Sequence, residues 1–218
     1  MYFDDRAEAG RKLAAELFEA YRYDNCAVVA VSDSSVLVAE EISTYLHCPL
    51  TLMLIENIDI PGESLSFGGV SQGGNFTYNS TFSSGEIEGY TSEFHGYLED
   101  QKREKFQNIN RLLGDGGVMD VDLLRDRVVI VVADGIDNGA AVDVVFDFLK
   151  PIRTLKIVVA TPVASVPAVD KIHVIADEIH ILDVKENFMG IDHYYEKNII
   201  PSKEETIQKI NNNILNWK

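Results

Sequence analysis

The chain has 218 residues, of which 46% are hydrophobic and 25% charged, and it carries a formal net charge of −16. That length suits one α/β domain with a sizeable core, and the composition is that of an ordinary globular protein. The negative field opposes nucleic acid and anionic membrane surfaces, and no apolar stretch approaches bilayer length.

Two cysteines, Cys26 and Cys48, lie at the edges of apolar runs and read as buried thiols, neither a disulfide framework nor a metal site. The five histidines show no metal-ligand spacing. The opening residues lack a basic-then-apolar leader pattern, so a cytoplasmic protein is expected.

Asp5, with Glu8 three residues on, predicts a capped helix whose apolar face runs through Leu13, Leu17 and Tyr21. Cys26 to Val31 reads as a short strand. Ser32-Asp33-Ser34-Ser35 is a turn into a helix from Val36 to Leu46, and Leu50 to Ile55 is a second buried strand. The β-turn-α-β order predicts parallel strands. Residues 56–99, rich in Gly, Ser, Asn and Tyr, predict a small antiparallel flap or hood. A polar helix is predicted from Tyr90 to Leu113, ending before Gly114-Asp115-Gly116-Gly117. Val128 to Val132, five β-branched residues in a row, predicts a strand buried on both faces. A further strand is predicted at Lys156 to Ala160, then a turn at Thr161-Pro162-Val163-Ala164, a short helix from Val166 to Ile172 and a last strand at His180 to Leu182. Ser202 with Glu205 predicts a capping box opening a helix over residues 202–216. The whole reads as one α/β domain over residues 1–218, a twisted parallel sheet flanked by helices on both faces.

The stretch with most to say about chemistry follows Val132: Ala133-Asp134-Gly135-Ile136-Asp137-Asn138-Gly139-Ala140-Ala141, leading into an amphipathic run to Leu149. An acid at the end of a buried strand can hold a hydroxyl, and glycines let the backbone turn into a helix N-terminus that presents amides to an anion. This segment resembles the phosphoribosyl-pyrophosphate (PRPP) loop of the type I phosphoribosyltransferases. Further matches lie in Asp5-Arg6-Ala7-Glu8-Ala9-Gly10-Arg11-Lys12-Leu13-Ala14, in Ala160-Thr161-Pro162-Val163-Ala164, in Ala176-Asp177-Glu178 and in Asn187-Phe188-Met189-Gly190-Ile191-Asp192-His193-Tyr194-Tyr195. Together they resemble a bacterial branch of that family over nearly the whole chain. The resemblance implies a phosphoribosyltransferase-like sheet with a hood, a homodimer, and binding of PRPP with Mg²⁺, from which pyrophosphate is expelled as ribose phosphate joins a nitrogenous base.

Against the family pattern the site positions depart in one direction. Where the branch carries Pro-Arg-Gly-Gly to meet pyrophosphate, this chain has Ser32-Asp33-Ser34-Ser35. Where it carries Arg-Lys-Leu-Gly, this chain has Glu56-Asn57-Ile58-Asp59. Of the acid pair only Asp134 remains, beside Ala133. Asp137 replaces a small residue of the 5′-phosphate turn, Asn138 and Ala141 replace threonines, and Gly135, Gly139 and Ala140 keep the turn. No Lys or Arg occurs from Tyr23 to Gln101, an interval holding twelve acids. A like-charge contact at ~4 Å costs roughly 1 kcal/mol in water and about 4 kcal/mol near a protein surface. A micromolar site is worth roughly 8 kcal/mol, so a few such contacts erase it.

Two roles stand open for Asp134: acceptor for a ribose hydroxyl, or cap of the helix that follows. Asp137 reads as structural, favourable near a helix N-terminus but in a phosphate's way. Asp33, Glu56 and Asp134 are expected at the carboxyl edge of the sheet, either as a site for a divalent cation, with one or more carboxyls relieved by the metal, or for a cationic small molecule, or as solvated residues around an abandoned pocket. Phe188, Tyr194 and Tyr195 either cover a base or close the core. The sequence thus points to a phosphoribosyltransferase-fold protein that has lost catalysis and is kept for binding, regulation or assembly. The alternative is an active enzyme using Mg²⁺ and PRPP on an unidentified base.

Overall fold

The computed structural model describes residues 2–63, 65–114 and 120–215. In chain order the elements are α1 (Arg6–Tyr21), β1 (Cys26–Ala30), α2 (Asp33–Leu46), β2 (Leu50–Leu52), β3 (Ile55–Asp59), β4 (Ser66–Ser71), β5 (Phe76–Tyr78) and α3 (Ser84–Glu93). They continue with α4 (His95–Gly114), β6 (Val128–Val132), α5 (Ala140–Leu149), β7 (Lys156–Ser165), α6 (Val166–Ile175), β8 (Glu178–Lys185) and α7 (Lys203–Leu215). The chain divides into two compact units: Met1–Leu52 with Met119–Asp137 and Ile152–Lys218, and Met53–Val118 with Asn138–Pro151.

The first unit holds a five-stranded, all-parallel sheet of order β2-β1-β6-β7-β8. Strands β1 and β6 are buried along their whole length, as their unbroken apolar runs require. They pair in register from Cys26 opposite Val128 to Ala30 opposite Val132. The helices α1 and α2 pack on one another, and α6 packs on β7 and β8. The order reverses between β1 and β6, so their carboxyl ends flank the switch point at which open α/β sheets bind ligands. Cys26 and Cys48 are free and buried, and desolvation pushes their thiols up to about 11 and about 12.

The N-terminal helix starts as its sequence directs: Asp5 accepts from the Glu8 amide at 2.8 Å, while Glu8 reaches back to the Asp4 amide at 2.7 Å. At the other end, Ser202 and Glu205 form the expected reciprocal pair before α7. Residue 216 of the expected helix lies outside the described residues, as does the Asp115-Gly116-Gly117 stop. Buried Asn213 is one of the side chains that dock the α7 helix. Asn213 accepts from the Leu50 amide of β2 at 2.7 Å and donates to Ser43 Oγ of α2 at 2.9 Å. Asn213→Ala leaves that amide buried and unpaired, an expected loss of about 1–3 kcal/mol readable as a lowered Tm. A variant melting with the native protein would show that α7 is not held there.

Two strands are longer than their sequences suggest. Thr161-Pro162-Val163-Ala164 is not a turn but the second half of β7, with Thr161 opposite Ile181 and Val163 opposite Asp183. Pro162 is tolerated because β6 ends opposite Ala160, leaving no ladder partner on that side for a missing N–H. With this extension, β8 runs from Glu178 to Lys185 rather than over three residues.

The second unit holds the antiparallel sheet β3-β4-β5 with α3, α4 and α5. The segment Leu50 to Ile55, expected as one strand, is split: β2 ends at Leu52, and β3 begins at Ile55 in the other sheet. Exposed Asn57 and Asp59 alternate with buried Ile58 and Ile60, the period-two pattern of a strand with one wet face. Helix α5 lies so close on β4 that a Cβ at Gly69 would stand 2.8 Å from Val144 Cγ2. The single helix expected from Tyr90 is two helices, because Ser83 and Glu86 form a capping box that starts α3 at Ser84. Phe67, fully buried, sits at the centre of a ring cluster with Phe76, Tyr78, Phe82 and Tyr90.

Candidate functional site

At the carboxyl end of β1 the Ser32–Ser35 turn is closed on itself. Ser35 Oγ accepts from the Val31 and Ser32 amides at 3.0 and 2.9 Å and donates to the Ser32 carbonyl at 2.8 Å. Ser32 Oγ caps α2 by accepting from the Ser35 amide at 3.1 Å, and the Ser34 hydroxyl lies 3.0 Å from it. Three amides of the turn are thus used internally. Asp33, in the first turn of α2, pairs with Lys203 of α7 at 3.4 Å, so a carboxylate stands where an incoming anion would meet the helix dipole.

At the carboxyl end of β6, Asp134 does not take the capping role expected of it: the N-cap of the following helix is Gly139, with no side-chain cap. Its carboxylate is held by Arg6 of α1, with Nε at 2.7 Å from Oδ2, and the two side chains are 1% and 5% exposed. The guanidinium also contacts Asp192 at 2.7 Å and Asn198 at 3.2 Å, and lies 4.5 Å from the Tyr195 ring centroid. The Tyr195 hydroxyl donates to the Asp134 carbonyl. Burial works against the Arg6 charge, but the bonds and charges of Asp134 and Asp192 outweigh it and hold the guanidinium above its ordinary value. Burial, then the nearness of Asp134, raises the Tyr195 phenol far above the usual range. Tyr195 therefore closes the core, packed on Phe3. Tyr194 is likewise buried, in contact with Phe188.

Asp137 is exposed, and its carbonyl accepts from the Ser165 hydroxyl at the end of β7. A bridge between Ile136 and Ala164 pins the same loop. Gly135 serves close packing rather than a turn: a Cβ there would lie 3.0 Å from two atoms of Ile191. Gly139 does need its freedom, with φ at +70°. In the second unit Asn138 Oδ1 accepts from the Ala140 amide at 2.9 Å, taking one of the donors a phosphate would use. Ala140 is buried and Ala141 half-buried. Asp143, in the first turn of α5, accepts from the amide and hydroxyl of Ser80 at 2.9 and 3.1 Å.

Glu56 and Asn57 are not in a turn at the edge of the parallel sheet but within β3 of the second unit. Glu56 pairs with Lys105 at 3.3 Å, and Asp59 accepts from Ser66 Oγ at 2.6 Å. Among the described residues no group of three or more His, Cys, Asp or Glu is placed to hold a metal ion. Asp33, Glu56 and Asp134 each have a cation of their own: Lys203, Lys105 and Arg6. Arg6 is the site residue that sequence reading missed. The signal was present, since an Arg at the first position of a helix opposes the dipole and calls for an acid nearby.

The match to known proteins follows the same outline. A model of the phosphoribosyl transferase domain matches residues 2–196. The chain belongs to the phosphoribosyl transferase domain family. Two Mycobacterium tuberculosis proteins, each provisionally named a phosphoribosyl transferase, are 25% identical over 211 residues, 94% of this chain. The chain spans 45% of the length of these curated relatives. The TT1426 protein of Thermus thermophilus shares the fold at a TM-score of 0.75 and 24% identity, covering 96% of this chain and 98% of that one. The AQ2163 protein of Aquifex aeolicus superposes at 0.51 with 11% identity, covering 83% and 74%. No helix among the described residues is long and apolar enough to cross a membrane.

Proposed function

We propose that this family member no longer turns over PRPP, and that its fold is kept for binding, regulation or assembly. The observation that supports this reading most is that the chain's own groups occupy several of the anion-binding positions. Asp33 occupies the start of α2, with the amides beside it bonded to Ser35. Asn138 takes an amide of the 5′-phosphate turn, and Asp143 adds an acid to the helix that turn opens. None of these positions carries a Lys or Arg of its own, and the cation beside Asp33, Lys203, is already paired with it. Asp134 keeps the place of the ribose-binding acid, but a buried arginine already neutralises it.

The second reading, an active transferase on an unidentified base, draws support from family membership and from the retained Asp134. In that reading Mg²⁺ arrives with the pyrophosphate, and a second copy of the chain in a homodimer supplies the missing cations. Calorimetry with PRPP and with a nucleoside monophosphate, each with and without Mg²⁺, separates the two. The expected result is no saturable heat below about 1 mM. A micromolar isotherm requiring Mg²⁺ would establish the enzyme reading instead.

A further inference from the structure

The second unit carries a groove of about 710 Å³ that belongs to none of the family-aligned site positions. Ser84, Ile87, Glu88, Thr91 and His95 recur at three- and four-residue spacing, so one stripe of α3 running into α4 forms one wall, and Tyr78 of β5 forms another. The opposite stripe of α3 is engaged: Tyr90 stacks edgewise on Phe67 and Phe82, with ring centroids 5.8 Å away in each case, and its hydroxyl donates to Glu63. The helix buries no residue fully, so the groove-facing stripe is its unpartnered side. A volume of this size lies within the range of small-molecule sites.

Three features of the lining set the chemistry of an occupant. Tyr78 and Ile87 offer a ring and an aliphatic surface. The Thr91 hydroxyl is buried without a hydrogen-bond partner among the described residues, a condition that costs free energy until a donor or acceptor arrives. Among the described residues no ion pair reaches Glu88, and the three cations in the middle of α4 are paired elsewhere: Lys102 with Glu99 at 3.0 Å, Arg103 with Asp100 at 3.6 Å and Lys105 with Glu56 at 3.3 Å. No Lys or Arg lies between Tyr23 and Gln101 to take their place. Beyond the His95 ring the described lining holds no basic side chain for an anion, whereas an ammonium group has the Glu88 carboxylate, the Thr91 hydroxyl and the Tyr78 ring available to it.

We infer that this groove binds a small organic cation, an ammonium group joined to a flat apolar ring. Tryptamine serves as the probe and indole-3-acetate as its anionic counterpart, each titrated into isotopically labelled full-length protein and followed by amide and methyl shifts. Tryptamine is expected to saturate at roughly millimolar concentration, shifting Ile87, Thr91 and His95, while indole-3-acetate produces no saturable change. Glu88→Gln, an exposed change that leaves the packing intact, is expected to weaken tryptamine about two- to fivefold, and added salt to do the same. Thr91→Val is expected to weaken it while leaving the salt dependence intact. The inference is overturned by absence of saturable tryptamine shifts, by equal responses to both probes, by shifts mapping to another surface, or by a Glu88→Gln variant that binds like the native chain.

Discussion

Arg6→Met is expected to destabilise the protein by about 3–5 kcal/mol, the cost of stranding a buried carboxylate without its partner. Arg6 Nε and Asp134 Oδ2 are 2.7 Å apart, and neither side chain is more than 5% exposed. The guanidinium joins the start of α1 to the end of β6 and to the Asp192–Asn198 segment. Its loss therefore loosens three separate parts of the first unit. At about 2–4 °C per kcal/mol for a chain of this size, the Tm should fall by about 6–20 °C. Asp192→Asn is the contrasting case. That carboxylate is 67% exposed, so removing it should cost about 0–1 kcal/mol. Combining Arg6→Met with Asp134→Asn should recover part of the loss, since the stranded charge goes with the residue that bore it. Full additivity of the two single losses would show that the pair is not the coupled unit described.

The second large effect is expected at Phe67→Ala, about 3–5 kcal/mol, because the ring lies at the centre of the aromatic cluster of the second unit. Its centroid is 5.3 Å from that of Tyr78, 5.5 Å from Phe82 and 5.8 Å from Tyr90, and the residue is wholly buried. Truncation opens a cavity and removes several edge-to-face contacts at once, each worth about 0.5–1.5 kcal/mol beyond area. Phe67→Leu refills most of the volume and should lose markedly less. Near-ultraviolet circular dichroism, which reports ordered rings, should collapse in the alanine variant. Preserved ellipticity with a native Tm would place the stability of this unit elsewhere.

What the sequence made legible, and what it hid, divides along the range of the interactions involved. Unbroken apolar runs marked β1 and β6, since a strand covered on both faces has no polar positions to show. The Asp5–Glu8 and Ser202–Glu205 pairs marked the starts of α1 and α7, because caps act over three residues. The boundary between β2 and β3 was invisible because Leu52, Met53 and Leu54 are buried on both sides of the passage from one sheet to the other. The capping box at Ser83 was present but sat among other Ser and Gly residues that mimic a loop. At the site, the altered residues were readable one by one. Their partners were not: Arg6 lies 128 positions from Asp134, and Lys203 lies 170 from Asp33. No spacing rule reaches that far, so carboxylates that appeared to crowd one another are in fact paired separately.

We propose that the residues at the family's pyrophosphate- and phosphate-binding positions, rather than the fold, have abolished PRPP binding, and restoring those residues tests this most directly. A chain carrying Asp33→Arg, Ala133→Asp and Asp137→Ala is compared with the native chain by calorimetry against PRPP with Mg²⁺. The charge reversed at Asp33 is worth roughly 1–4 kcal/mol near the ligand. The restored chain should therefore give a saturable isotherm displaced by pyrophosphate, while the native chain stays silent to about 1 mM. Micromolar binding by the native chain, displaced by pyrophosphate, or a restored chain as silent as the native one, would contradict the account.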